Sequence, residues 1–427
     1  MRILFVVAKA LKEKNEVSIF FRVKNPKEKE YSLTYKRFDE IETYAINHTF
    51  RHCGSFHDTY CDEAVDKGFV EVLDRVRPDI VHIHHLLFLS HGIVKLAKER
   101  NIPIVYTLHD YWLLCYRGQL LRDDMAVCIR PSVDECRKCL RYLLGIRKHT
   151  MYLYGMLRNR IPPFILGLLK KVHLISSGQK PALEIKRWQD SLAELRAKID
   201  LFIAPSCFVG RLFIAEGFSE RKMLFSANGI NSQNFEFTPK TKSNKLRFGY
   251  LGTLLPAKGV DVLIEAFKGL ASERIELAIY GAFFAYAGFE YYPRRLRKMA
   301  KADKRIKFMG GYNHCEVGKI LANIDVLIVP SLWLENAPLV VQEAFLSKTA
   351  VIASRIGGIP EFIKDGINGL LFDAGDIKGL TEKMRYLIGN PETIARFQEN
   401  MPQVKSIEEN AREMERVYSS LTNEKHG

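Results

Sequence analysis

The sequence predicts an α/β protein with two doubly wound, Rossmann-like domains that face each other across a cleft. Short apolar runs typical of buried parallel strands alternate with amphipathic stretches of helical period. This alternation occurs twice, and a polar stretch, FTPKTKSNK at 237–245, separates the two series. A chain of 427 residues is long enough for two large domains, and its 47% hydrophobic and 26% charged residues are an ordinary globular composition.

The first half opens with RILFVVA at 2–8, which we expect to form a buried parallel strand. DIVHIHH at 79–85, an amphipathic stretch and NIPIVYTLHD at 101–110 then predict strand, helix and strand. An irregular, cysteine-containing insertion of this domain covers about 111–198, and DLFIAPS and KMLFSANG follow it as further strands. We place this N-terminal domain at residues 1–240.

The second half begins with the strand LRFGYLG at 246–252 and continues with helices and strands in alternation. Its further predicted strands are ELAIYG, RIKFMG, DVLIVPS, AVIAS and GLLF, and its helices lie near 260–270, 290–301, 316–323 and 338–347. We place this domain at 245–400, and we expect a helical segment at 401–427 to pack back on the N-terminal domain. Ligands of such sheets bind beyond the carboxyl ends of the strands, so we expect the functional residues in the loops that follow the strands.

The excess of basic residues is concentrated in one part of the chain. Lys and Arg total 64 against 49 Asp and Glu, which gives a net charge of +15. Residues 101–250 carry 24 basic and 12 acidic side chains, so they hold +12 of it. Within them, 147–173 has six basic residues, no acidic residue and many bulky apolar ones, a mixture that suits an anionic membrane surface. A helical hairpin with a solvated basic face is the alternative.

Several classes of protein are disfavoured by the sequence. No helix-turn-helix, zinc-finger or RNA-recognition signature accompanies the basic residues, so we expect no nucleic-acid partner. No signal peptide is apparent, and no apolar stretch approaches the ~20 residues of a transmembrane helix. Eight cysteines are too few for a disulfide scaffold. We therefore expect a cytoplasmic protein, peripheral at the inner face of the cytoplasmic membrane if the basic segment binds lipid.

The segment VPSLWLENAPLVVQEAF at 329–345 carries the strongest functional pattern. Glu335 lies in a loop after an apolar strand, and Glu343 lies inside a helix that Pro338 can begin. Free backbone N–H groups at a helix start, together with the helix dipole, form an anion site that suits a diphosphate. The two carboxylates can accept hydrogen bonds from sugar hydroxyls on either side of it.

Two more loops of the same half add to this pattern. In YLGTLLPAKG at 250–259, a strand ends at Gly252, and Lys258 precedes a helix where it can neutralise a departing diphosphate. In SRIGGIPEFIKDGINGLLF at 354–372, Gly357 and Gly358 permit a tight turn close to a ligand.

Together these motifs resemble the donor-binding domain of the large retaining glycosyltransferase family often called family 4, which has the GT-B fold. LGTLLPAKG, the E-x7-E pair, GGIPE and DGINGLLF carry the resemblance in the second half. PDIVHIHH, IPIVYTLHDYWLLC, IAPS and NGI resemble the acceptor-side domain in the first half. The resemblance spans roughly residues 70–375 and includes a likeness to bacterial surface-polysaccharide enzymes.

The resemblance implies roles for individual residues. Glu343 would bind the ribose hydroxyls of a nucleotide and Glu335 those of the transferred sugar, while Lys258 would hold the diphosphate. His109, at the end of the YTLHD strand, would face the sugar near its anomeric carbon from the opposite domain. The other donor-binding positions implied by the motifs are Gly252, Thr253, Asn336, Ala337, Pro338, Leu339, Gly357 and Gly358.

The sequence departs from the family pattern in the cleft. Thr253 stands where an arginine commonly assists the lysine, so diphosphate neutralisation rests on Lys258 or on a more distant cation. The glycine-rich turn usual after the first strand is absent, because VVAKALKEKNEV contains no glycine.

The insertion contains Cys115, Cys128, Cys136 and Cys139. The last two form a C-x2-C pair, which is half of a typical zinc site, and the first two could complete a tetrahedral set. A structural zinc ion and free, loop-pinning thiols are the two interpretations.

We expect a metal-independent, retaining enzyme of the hexosyltransferase type. It would transfer a sugar from a UDP- or GDP-sugar to a hydroxyl of a glycan or lipid-linked acceptor in surface-polysaccharide or lipopolysaccharide synthesis, with no required cofactor. The alternatives are a sugar-nucleotide epimerase of the same fold and a non-catalytic nucleotide-sugar or glycan-binding protein.

Overall fold

The structure is a computed structural model that describes residues 2–122, 125–129, 131–145, 180–235, 240–283 and 291–423. Its strands are β1 (Ser18–Val23), β2 (Leu33–Phe38), β3 (Ile41–Asn47), β4 (Val81–Ile83), β5 (Ile104–Thr107), β6 (Leu201–Ala204), β7 (Met223–Phe225), β8 (Leu246–Leu251), β9 (Ile275–Tyr280), β10 (Ile306–Gly310), β11 (Val326–Val329), β12 (Ala350–Ser354) and β13 (Leu370–Phe372). Its α-helices are α1 (Arg2–Leu11), α2 (Glu63–Val76), α3 (Gly92–Glu99), α4 (Val133–Gly145), α5 (Lys180–Lys198), α6 (Cys207–Ala215), α7 (Val260–Lys268), α8 (Tyr292–Ala300), α9 (Val317–Ala322), α10 (Leu339–Leu346), α11 (Ile359–Phe362), α12 (Ile377–Gly389), α13 (Glu392–Glu399) and α14 (Ile407–Asn423).

The second half of the chain forms a parallel sheet in the order β10-β9-β8-β11-β12-β13. Counted from its first strand, this is the doubly wound order 3-2-1-4-5-6. Helices α7, α8 and α12 cover one face of the sheet, and α9, α10 and α11 cover the other. The strand order reverses between β8 and β11, so a crevice opens at the carboxyl ends of these two strands. All the strands that the sequence predicts here are confirmed.

The first half contains a second parallel sheet, in the order β4-β5-β6-β7. Its strands match the four apolar runs predicted between 79 and 229. Helices α2, α3, α5 and α6 pack on it around Trp112 and Trp188, which are fully buried. The architecture is therefore two α/β units, each with its own core.

The prediction of a strand at 2–8 is wrong, because these residues lie in helix α1. Val7 and Leu11 pack against Ile407 and Met414 of α14, and this pair of helices covers Val105 and Ile203 of the first-half sheet. A short apolar run fits a buried helix as well as a buried strand, and Lys9, Ala10 and Leu11 extend this one with strong helix formers. The absence of a glycine-rich turn after the run was the feature of the sequence that argued against a strand here.

Residues 18–47 form a three-stranded sheet that the sequence did not predict. Strand β3 pairs with β1 in parallel and with β2 in an antiparallel hairpin. The hairpin turns at Asp39 and Glu40, whose φ angles are 44° and 64°, as in a type I′ turn. Such turns are usually marked by glycine or asparagine, so Asp-Glu gave no recognisable signal.

The described part of the polar linker is anchored to the second half. The Nζ atom of Lys240 donates to the carbonyl oxygens of Leu321 at 2.7 Å and Ile324 at 2.6 Å. At the other end of the second half, α14 returns to the first, as its contacts with α1 show. The basic segment 147–173 lies outside the described residues. Among those described, no helix combines the length and the apolar character that crossing a bilayer requires.

Candidate functional site

Two loops meet where the strand order reverses. One follows β8 and runs from Gly252 to Gly259, and the other follows β11 and runs from Pro330 to Pro338. The Leu332 amide donates to the Ala257 carbonyl at 2.8 Å. Gly259 has a φ of 64°, and a Cβ atom there would lie 1.9 Å from the Pro330 carbonyl oxygen. Only glycine permits this approach, which fixes the two loops against each other.

The Glu335 carboxylate lies at the centre of this crevice and is only 5% exposed. Its Oε1 atom accepts hydrogen bonds from Lys258 Nζ at 2.7 Å and from Ser331 Oγ at 2.5 Å. The same ammonium group lies 4.8 Å from the ring centroid of Trp333. The structure therefore joins the predicted residues Glu335 and Lys258 in one charge-assisted network.

The glycine pair holds the Glu335 loop in place. The Gly358 amide donates to the Glu335 carbonyl at 2.7 Å. A Cβ atom would lie 2.4 Å from the Glu335 carbonyl oxygen at Gly357 and 2.1 Å from that of Asn336 at Gly358. Both glycines therefore pack directly on the loop that carries the carboxylate, and their predicted place beside a ligand stays a prediction.

The second predicted carboxylate, Glu343, lies in helix α10, which begins directly after Pro338. Glu343 is buried, and its Oε1 atom is 2.8 Å from Nε2 of His314. His314 opens a short 3-10 turn that Asn313 and Glu316 stabilise as a capping box. The imidazole thus orients the carboxylate from a neighbouring loop of the same sheet.

The Glu335 loop also contacts the first half. Asn336 Nδ2 donates to the Leu108 carbonyl at 3.2 Å, directly before His109, and Trp333 packs edge-on against Tyr111. Within the part of the chain that the structure describes, Asn336 Oδ1 and Trp333 Nε1 are buried and have no hydrogen-bond partner. Buried polar atoms normally have partners, so these two atoms are candidates for contacts with a ligand.

A second bridge between the halves involves Glu361. Its carboxylate oxygens accept from the backbone amides of Cys207 at 2.8 Å and Phe208 at 2.5 Å, at the first turn of α6. A carboxylate is favourable there because these amides are free and the helix dipole is positive at this end. The two halves are therefore in direct contact on this side of the cleft.

His109 lies directly after β5, as predicted, and belongs to a histidine pair. Its Nε2 atom is 2.9 Å from Nδ1 of His84, and the two rings are stacked. Burial lowers the pKa of His109 to about 3, and the neighbouring His84 adds to the shift. Burial likewise lowers the pKa of His84 well below its usual range. Both rings are therefore neutral at pH 7.

The remaining predicted positions lie around this centre. Tyr250 donates through its hydroxyl to the Thr253 carbonyl at 2.8 Å, which fixes the turn after Gly252. Ala337 and Pro338 are buried at the start of α10, and Leu339 is half-buried. The four cysteines belong to the insertion and not to this crevice. The sequence assigned no functional role to Ser331, Trp333, His84 or His314. The first three lie within the quoted motifs, but their contacts appear only in the folded chain.

Each half of the chain matches a known protein family. Residues 231–404 match the family described as glycosyl transferases group 1, and residues 2–142 match the one described as glycosyltransferase family 4. A sulfoquinovosyl transferase, SQD2 of Arabidopsis thaliana, is 31% identical over 77% of this chain and 54% of its own length. A lipopolysaccharide 1,2-N-acetylglucosaminetransferase of Salmonella typhimurium is 30% identical over 52% of this chain and 57% of its own. The chain spans about half the length of these relatives.

Solved structures share the fold. Sucrose-phosphate synthase from Thermosynechococcus elongatus superimposes with a TM-score of 0.67 at 15% identity, covering 98% of this chain and 92% of the other. The Anabaena protein HepE in complex with UDP and glucose gives 0.62 at 16% identity, covering 98% and 95%.

The neutral histidines predict how stability depends on pH. The unfolded chain takes up protons on histidine below about pH 6.5, whereas folded His84 and His109 do not until far lower pH. The free energy of unfolding should therefore be greatest above pH 6.5 and fall as the pH drops toward 3. His84→Gln should reduce the slope of the unfolding free energy, measured by urea titration between pH 7.5 and 5, by up to about 1.4 kcal/mol per pH unit.

His52→Gln, at an exposed histidine, is the control for the effect of replacing a histidine elsewhere in the first half. An unchanged slope in the His84→Gln variant would show that this ring is not held neutral by the fold.

Proposed function

The chain belongs to the group 1 and family 4 glycosyltransferases and has the GT-B fold, and we propose that it transfers a sugar from a nucleoside diphosphate sugar to a hydroxyl acceptor with retention of configuration. The observation that carries this proposal is the Lys258–Glu335 pair at the carboxyl ends of β8 and β11. It places a cation for a diphosphate and an acceptor for sugar hydroxyls at the ligand site of a doubly wound sheet.

The pair supports a simple description of donor binding. With no donor bound, Lys258 neutralises the buried Glu335 carboxylate at 2.7 Å. A diphosphate attracts the same ammonium group, and the sugar hydroxyls can then donate to Glu335 Oε1 in its place. Ser331 keeps its hydrogen bond to Glu335 during this exchange and holds the carboxylate in position.

The rest of the donor fits around helix α10. The backbone from Asn336 to Leu339, at the helix start, faces the sugar and the diphosphate, and Glu343 binds the ribose hydroxyls. His314 holds Glu343 Oε1 at 2.8 Å, which fixes the carboxylate that we propose for the ribose. UDP- and GDP-sugars are the donors we propose.

We propose a reaction in which the acceptor attacks from the face that the diphosphate leaves. The bond from the anomeric carbon to the phosphate oxygen breaks through an oxocarbenium-like transition state, and the acceptor oxygen bonds to that carbon. The acceptor's proton passes to the departing phosphate oxygen, so neither glutamate acts as a nucleophile. Lys258 and the start of α10 stabilise the leaving diphosphate, and the donor half has no DxD motif for a catalytic metal. Neutral His109 faces the sugar as a hydrogen-bonding group.

For the acceptor, we propose a glycan or a lipid-linked intermediate of surface-polysaccharide or lipopolysaccharide synthesis. The charge of +12 in residues 101–250 belongs mostly to the acceptor-side half, which supports an acceptor presented at an anionic membrane surface. The enzyme would then act in the cytoplasm, at the inner face of the membrane.

The central prediction concerns the ion pair. With the donor selected by a thermal-shift screen of nucleotide sugars, Glu335→Gln and Lys258→Met should each lower kcat about 10²- to 10³-fold. Because the two groups act as one unit, the reduction in kcat of the double variant should be much smaller than the product of the two single reductions. Glu265→Ala, at an exposed glutamate of α7, is the matched control and should keep full activity. Near-normal turnover of Glu335→Gln would reject the assignment and leave a binding protein as the alternative.

A second prediction separates nucleotide binding from the chemical step. His314 contacts Glu343 and not the sugar, so His314→Ala should raise the KM for the donor about tenfold while kcat changes little. His314→Gln, which can still donate a hydrogen bond, should recover part of the loss. Cys315→Ser, at an exposed neighbour, should change neither constant. A fall in kcat at constant KM would contradict this role.

A third prediction concerns the membrane. The full chain should sediment with phosphatidylglycerol-containing vesicles but not with phosphatidylcholine vesicles, and added salt should release it. Lys170→Glu combined with Lys171→Glu should weaken the binding, whereas Lys242→Glu with Lys245→Glu, an equal charge change outside 147–173, should not. Equal binding to both kinds of vesicle, or binding to neither, would count against an electrostatic membrane contact.

A further inference from the structure

The insertion between β5 and α5 contains four cysteines in the pattern C-x12-C-x7-C-x2-C, and the proposed reaction uses none of them. Cys115 and Cys128 lie in the irregular segment that follows the β5 strand, and Cys136 and Cys139 lie on α4. On a helix, residues three apart share a face, so the last two thiols lie one turn apart on the same side.

The irregular segment folds back so that its two cysteines approach α4. Leu121 and Val127 form an antiparallel bridge, and the Cys128 amide donates to the Leu120 carbonyl at 2.8 Å. Arg122 then forms an ion pair with Glu135 in the first turn of α4, at 3.3 Å. This ion pair holds Arg122 beside Glu135, the residue that directly precedes Cys136 on α4.

The four thiols lie in a partly dry environment. Cys136 is buried in the first-half core, and Cys115 packs against the same cluster. Burial raises the pKa of Cys136 to about 12, and the other three cysteines add to the shift. None of the four forms a disulfide within the described part of the chain. Cysteine sulfur is a preferred ligand of structural zinc sites, and four such side chains supply a complete tetrahedral set.

A different cluster in the first half has metal-ligating groups in closer contact. Among the described residues, His48, Cys53 and Asp62 are the three whose ligand atoms lie within 4.8 Å of one another. Hydrogen bonds within the protein already occupy much of this cluster, however. Asp62 accepts from two amides as the N-cap of α2 and from the Tyr31 hydroxyl, and His48 Nδ1 contacts Glu30. This cluster is a satisfied polar network that links β3 to α2.

We propose that Cys115, Cys128, Cys136 and Cys139 bind one zinc ion as a tetrahedral set of four thiolates. Among the described residues no three of these sulfur atoms lie within 4.8 Å of one another, so zinc binding requires the four thiols to move closer together. Four ligands leave no open position, which makes the site structural.

The proposed ion would support the acceptor side of the cleft. Cys115 is four residues beyond Tyr111, and its amide donates to the Tyr111 carbonyl at 2.7 Å. Tyr111 in turn packs against Trp333 of the Glu335 loop. Zinc binding would therefore fix the segment that leads from His109 to the wall of the site.

The test is the metal content of the full chain purified without chelator. Elemental analysis should find about one zinc per chain. Cys136→Ser combined with Cys139→Ser should remove it. Cys207→Ser with Cys315→Ser, at two exposed cysteines outside the cluster, should keep it, as should Cys53→Ser. Less than a few tenths of an equivalent in the parent chain, or zinc retained by the first double variant, would overturn the proposal, and zinc lost only with Cys53→Ser would assign it to the other cluster.

Alkylation of the parent chain gives a measurement that does not depend on a variant folding. Iodoacetamide should label Cys207 and Cys315 at once, and it should label the four cluster cysteines only after a strong chelator has removed the metal. Equal labelling of the cluster with and without chelator would contradict zinc binding. Neither measurement relies on transfer activity, so this proposal and the proposed reaction can fail separately.

Discussion

The buried carboxylate of Glu335 is the constraint on which the site depends. A charged group that is 5% exposed must be compensated where it lies, and Lys258 and Ser331 provide the compensation. This arrangement requires the loops after β8 and β11 to touch, which the close approach of Gly259 to Pro330 permits. The reversal of strand order between β8 and β11 brings those loops together in the first place.

The same loop connects the two halves of the molecule. From the Glu335 loop, Asn336 reaches the Leu108 carbonyl and Trp333 reaches Tyr111, while Glu361 caps α6 from the next loop of the sheet. These contacts join the Glu335 loop to the segment on either side of His109. Gly357 and Gly358 act at this point as well, since side chains there would push the loop away from its place.

The sequence predicts the strands of the second half, since each is a short apolar run between helical stretches. It also singles out Glu335 and Lys258 individually, because each follows a strand and because a carboxylate suits sugar hydroxyls and an ammonium group suits a diphosphate. It does not predict that they pair, since 77 residues separate them and only the sheet order joins them. His314 was missed for the same reason, as its role appears only when its loop lies beside Glu343. Periodicity could not distinguish helix α1 from a strand, because its packing against α14 decides the outcome.

Thr253 stands where the family pattern suggests an arginine, so this position supplies no cation. Its backbone carbonyl accepts the Tyr250 hydroxyl, which fixes the loop after β8. Within the two loops that meet at the crevice, the cationic side chain is that of Lys258, and it is paired with Glu335. In the proposed donor complex, a diphosphate would compete with that carboxylate for the ammonium group. Sugar hydroxyls would then replace the ammonium group on Glu335, so a complete nucleotide sugar would satisfy both groups, whereas a nucleotide alone would leave the buried carboxylate without its cation. On this proposal, the pair favours binding of the intact donor over binding of the nucleotide product.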